Sequence, residues 1–132
     1  MDVFARRALL QGQENPGGRT DYVSGLQGRL TAKNLGGNIV SIVRYVPDRF
    51  VLVPDSFNSY LKTMETLPWP TLEDLATALV KDISNEMLTR WTQVNLKADQ
   101  ADFAHVAAHE VTIEDRQPGW RNDDLIYRLP PL

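Results

Sequence analysis

Two hydrophobic periods alternate along this chain. Residues 39–46, Ile-Val-Ser-Ile-Val-Arg-Tyr-Val, are β-branched and aromatic, with turn residues on both sides, which predicts a strand. Residues 19–32 predict an earlier strand through Tyr22, Val23, Leu26, Leu30 and Thr31, with Gly25 and Gly28 interrupting it as a bulge. Between them, Lys33-Asn34-Leu35-Gly36-Gly37-Asn38 is a turn whose residues tolerate positive φ. Pro47-Asp48-Arg49 bends the second strand, and Phe50 to Val53 extends it.

The period then changes. Phe57, Tyr60, Leu61 and Met64 recur at helical spacing, with Asp55 as the expected cap of the first turn. Pro68-Trp69-Pro70 stops that helix, and Trp69 packs the turn between helices. Thr71 caps a second helix, which carries Glu73 and Asp74 where the helix dipole favours carboxylates. Its buried face is Leu72, Leu75, Ala76, Leu79, Ile83 and Met87. Residues 89–97 alternate as a strand. Residues 103–114 alternate again, placing Phe103, His105, Ala107, His109, Val111 and Ile113 on one face.

The order strand, strand, helix, helix, strand, strand predicts an α+β domain over residues 19–116: an antiparallel sheet with helices on one face and the other face open. Residues 1–18, rich in turn formers, read as an arm with a short helix within 2–10. Residues 117–132 read as an irregular tail. A four-stranded sheet with open edges predicts a homo-oligomer.

Composition narrows the function. A chain of 132 residues with 42% hydrophobic and 23% charged residues builds one core without a staple. The net charge of −3 gives nucleic acid or an anionic membrane no electrostatic help, and Arg6-Arg7 is too short for a nucleic-acid arm. No run of apolar residues reaches bilayer or signal-peptide length, so the chain reads as cytoplasmic. There is no cysteine, hence no disulfide, thiolate ligand or thiol nucleophile.

Several short motifs then add up. Asn15-Pro16 is followed by Asp21-Tyr22-Val23; Tyr45-Val46-Pro47-Asp48-Arg49 closes the second strand; Leu72-Glu73-Asp74 opens the long helix. In this order and spacing they resemble the NADPH-dependent nitrile reductases of queuosine biosynthesis, members of the tunnelling-fold family of pterin- and purine-binding proteins. The likeness covers roughly residues 15–97. It implies a tunnelling fold, sites between subunits, and Glu73 as the carboxylate that grips a deazaguanine, purine or pterin ring. It also offers Ser56 and Tyr60 to the cofactor, NADPH. The chain departs from the family where the catalytic cysteine would stand, at Leu30 and Thr31, where the acid would fall, on Gly37, and in both cofactor-motif lysines. Without a thiol no covalent thioimide forms, so the expected protein binds such a ring with altered or lost chemistry, or is a non-catalytic oligomeric relative.

Glu73 fits that role chemically: its two acceptor oxygens match the ring N–H and amino donors of a guanine-like edge. The plainer alternative is a charge complementing a helix end. His105 and His109 are the candidates for acid–base catalysis. On a strand, the favoured reading, they share a face ~13 Å apart, too far to hold one metal; on a helix His105-Val-Ala-Ala-His109-Glu110 would make a half-site, and with no cysteine to complete it no metal site is expected. Alternatively, they line a subunit contact.

Overall fold

The computed structural model describes residues 1–100 and 102–132. Its centre is a four-stranded antiparallel sheet in the order β2–β3–β5–β6, formed by β2 (Ser24–Ala32), β3 (Gly37–Val46), β5 (Trp91–Ala98) and β6 (His109–Arg116). Helices α2 (Pro54–Thr66) and α3 (Leu72–Met87) lie between the two hairpins in sequence. The α+β class and the antiparallel arrangement follow the sequence pattern.

Alternation decides which face is covered. Leu30, Ile39, Val43, Tyr45, Val94, Leu96 and Ala98 form the core with Phe57, Leu61, Met64 and the apolar face of α3. Val111 and Ile113 of β6 are partly buried against the same core. The two helices therefore share one side of the sheet. Thr71 caps α3 as its sequence predicts, accepting from the Asp74 amide at 3.1 Å. Trp69 likewise closes the interhelix turn, its indole N–H donating to the Met64 carbonyl at 2.8 Å.

Several expectations need correction. First, β2 pairs with β3 from Ser24↔Tyr45 to Ala32↔Gly37 without interruption, so Gly25 and Gly28 make no bulge. Gly28 instead makes room for α2: a Cβ there would stand 2.3 Å from Leu61 Cδ1. Second, α2 begins at Pro54, so Asp55 lies inside its first turn rather than capping it. Third, Phe50–Leu52 (β4) leaves the main sheet and pairs with Gly12–Glu14 (β1) in a separate two-stranded sheet. The arm is thus structured, and it also contains α1 (Val3–Arg7).

Fourth, the strand expected over residues 103–114 starts only at His109. His109 pairs with Ala98, the last residue of β5, so the residues before it have no strand to pair with. Phe103 to Ala108 turn back instead, with the Val106 amide bonded to the Phe103 carbonyl. The second face of the sheet is not bare either. The tail contains α4 (Asp123–Tyr127), and its last residues, 129–132, lie beside Gln27, Ile42 and Arg44 on that face, the Pro130 carbonyl accepting from Arg44 Nη1 at 2.8 Å. Among the described residues no helix is long and apolar enough to cross a membrane.

The motifs Asn15-Pro16, Asp21-Tyr22 and Pro47-Asp48-Arg49 converge in space. Asn15 is 6% exposed; its Nδ2 donates to the Asp48 carbonyl at 2.8 Å, and its Oδ1 accepts from the Gly17 amide and the Tyr22 hydroxyl. Arg90 bridges Asp21 at 2.8 Å and Asp48 at 3.3 Å. These residues peg the loop 15–22 to the end of β3.

Candidate functional site: the Glu73–His109 pair

Two of the residues singled out by sequence meet across 36 positions. Glu73 sits in the first turn of α3, just after the Thr71 cap. His109 opens β6 on the helix-covered side, level with Ala98. Its Nε2 lies 2.8 Å from Glu73 Oε1. A carboxylate only accepts, so Nε2 carries the proton and donates. The pair is open to solvent, with 59% of the Glu73 side chain and 37% of the His109 side chain accessible.

Glu73 is held below the ordinary glutamate range. Its own backbone N–H contributes most, followed by the His109 hydrogen bond; some desolvation opposes them, and the nearby His109 and Thr71 add to the lowering. All the lowering causes favour the charged form at a helix N-terminus. The sign is that of a depressed acid: the associated stability is complete above the unfolded pKa and is lost as pH falls through the folded one. His109→Ala is expected to raise the Glu73 pKa only part of the way back, because the backbone contribution stays. Carboxyl-carbon NMR titration of Glu73 measures this; an unchanged midpoint would show that the histidine does not stabilise the carboxylate.

The other candidates separate. His105 lies in the turns before β6 and does not share a strand face with His109. Among the described residues no three histidine, aspartate or glutamate side chains group as a metal would require. Tyr60 is fully buried, and its hydroxyl donates to Asp82 Oδ2 at 2.6 Å. Burial, then the adjacent Asp82 charge and its hydrogen bond, push the phenol far above the ordinary tyrosine range, so it stays a donor. The Ser56 hydroxyl donates to the Val53 carbonyl at 2.7 Å and accepts from the Gln11 amide at 3.0 Å. Both hydroxyls serve the fold, and the residues present do not fit a nicotinamide cofactor there.

Of Leu30 and Thr31, which stand where the family's nucleophile would, Thr31 is exposed and Leu30 is 4% exposed. Sheet register aligns it with the pair: Leu30↔Ile39, Ile39↔Ala98 and Ala98↔His109 form one row across the sheet. Three strand spacings separate its ends, ~14 Å. The β2 edge therefore lies three strands away from His109.

What sequence reasoning missed is the centre of the helical layer. Asp82 is fully buried in α3. Its carboxylate accepts from Arg6 Nε and Arg7 Nε, each at 2.7 Å, and from Tyr60. The signal was present: Asp82 falls three residues after Leu79, inside the apolar stripe, and Arg6-Arg7 is the matching charge pair.

Compared with known protein families the chain matches no family model, and it matches no curated protein.

Proposed function

We propose that this chain is a tunnelling-fold, nitrile-reductase-like protein that binds a deazaguanine, purine or pterin ring through Glu73, at a site closed by a second copy. The observation that carries the reading is the solvent-open Glu73 carboxylate, kept ionised and fixed at 2.8 Å by His109. An ionised carboxylate is what the paired N–H and amino donors of such a ring require. Openness supports the second copy, since a ring held on one chain would stay largely in water and gain little from the contact.

The sheet supports the same assembly. Its edges are β2, of nine residues, and β6, of eight. Laying the β2 edge of one copy along the β6 edge of another would cover both and bring a second wall to the Glu73–His109 pair.

Binding without the family's reaction is the better-supported form of the reading. The chain has no thiol to attack a nitrile carbon, and Ser56 and Tyr60 are committed inside the fold. The protein is expected to sediment as an oligomer at micromolar concentration. Guanine, deazaguanine or pterin is expected to shift the His109 and Glu73 side-chain NMR signals in that oligomer. A monomer whose pair signals ignore all three rings would contradict the proposal.

A further inference from the structure

A second cleft lies at the other end of the sheet. It is lined by Glu14, Asn15, Gly18, Arg19, Asp48, Arg49, Phe50 and Arg90, and has a volume of about 390 Å³. That is within the range of small-ligand sites, roughly 300–1,000 Å³. Strand β5 runs between the two regions: Arg90 precedes its first residue, and Ala98, paired with His109, is its last. The strand spans ~24 Å, so the cleft is independent of the Glu73 reading.

Its charges are unevenly used. Arg90 is committed to Asp21 and Asp48, and Asp48 Oδ2 also accepts from Gln117 Nε2 at 3.2 Å. Among the described residues the guanidiniums of Arg19 and Arg49 have no hydrogen-bond or ion-pair partner. On a chain of net charge −3, two unspent arginines on one cleft are a local excess of donors. Guanidinium forks match phosphate oxygens. Phe50, 36% exposed, offers an apolar ring face beside them. Glu14, exposed on β1, offers an acceptor for a hydroxyl or amino group.

The loop that carries Arg19 is also preformed. Asn15 ties it to the Asp48 carbonyl, and Arg90 Nη2 donates to the Gly18 carbonyl at 3.4 Å. Arg19 and Arg49 are thereby presented from two fixed turns, which limits the ordering cost of binding.

We propose that this cleft binds a ring-bearing phosphomonoester, with Arg19 and Arg49 on the phosphate, Phe50 against the ring and Glu14 on a hydroxyl or amino donor. The probes are adenosine 5′-monophosphate, adenosine and inorganic phosphate, titrated calorimetrically into the full chain. Adenine lacks the paired N–H and amino donors that Glu73 would grip, so the two sites are read separately. Adenosine monophosphate should bind at least ~10-fold more tightly than adenosine, the weight of one charge-assisted contact, and weaken as salt rises. The double variant R19A/R49A should bring it down to the level of adenosine. Phe50→Ala should weaken the nucleotide and leave inorganic phosphate unchanged. Arg19 and Arg49 are exposed and unpaired, so the double variant should keep its melting temperature. Equal binding of nucleotide and nucleoside, unchanged binding in the double variant, or no binding at millimolar nucleotide would each overturn the proposal.

Discussion

Asp82→Ala is expected to destabilise the protein by about 3–5 kcal/mol, a large share of a typical domain's stability. Asp82 is fully buried and both of its oxygens are used: Oδ2 by Arg6 Nε and the Tyr60 hydroxyl, Oδ1 by Arg7 Nε and Arg6 Nη2. The Arg6 and Arg7 side chains are 14% and 19% exposed, so alanine strands two largely buried cations and a buried hydroxyl. Unpaired buried groups, more than the lost attraction, make such a change expensive. The effect should concentrate in the arm. Arg6 also stacks over Trp69, its guanidinium carbon 5.6 Å from the ring centroid, and with Leu9 and Leu10 packed on the core these side chains fasten α1 to the domain. Tyr60→Phe, which removes one donor and leaves both ion pairs, should cost about 1 kcal/mol. Denaturant unfolding of both variants, with hydrogen exchange on residues 1–10, gives the comparison. A D82A variant as stable as the parent would mean that the network is not coupled to folding.

Glu73→Gln is the second change with a large expected effect, on binding and not on stability. Glutamine keeps the shape of the side chain but turns one acceptor oxygen into a donor. A ring N–H or amino group that faced that oxygen would then meet another N–H. The expected loss is about 1–3 kcal/mol, the cost of leaving one donor unpaired in a closed site, which is roughly 10- to 100-fold in affinity. Stability should barely move, because Glu73 is exposed and, among the described residues, its one side-chain hydrogen bond beyond its own turn is to His109.

Much of the fold was legible because the two periods are clean where they matter. The β-branched run 39–46 became the central strand β3, and the Leu72–Met87 stripe became the long helix packed on β5 and β6. The failures have local causes. Residues 103–108 alternate as well as a strand does, but a strand needs a partner and β5 has ended by then. Gly12–Glu14 shows no strand pattern, since it is exposed on both faces and exists only because β4 pairs with it. Asp55 reads as a cap, yet Pro54 takes the first helical position with its preset φ.

The candidate site was legible in its members and not in its geometry. Glu73 carries a helix-start signature, and His109 is one of only two histidines, but nothing in their spacing brings residues 73 and 109 together. That contact depends on how α3 crosses the end of β6. Ser56 and Tyr60 were drawn from the resemblance, and their burial follows from the helical face they occupy beside Phe57 and Leu61.

Calorimetric titration of the intact oligomer with guanine, deazaguanine and pterin, on the parent chain and on Glu73→Gln, tests the central claim most directly. At least one ring is expected to bind the parent and to bind the glutamine variant ~10- to 100-fold more weakly, with the two proteins melting alike. No binding of any of the three rings, or equal binding by parent and variant, would leave Glu73 as a charge that complements the end of α3.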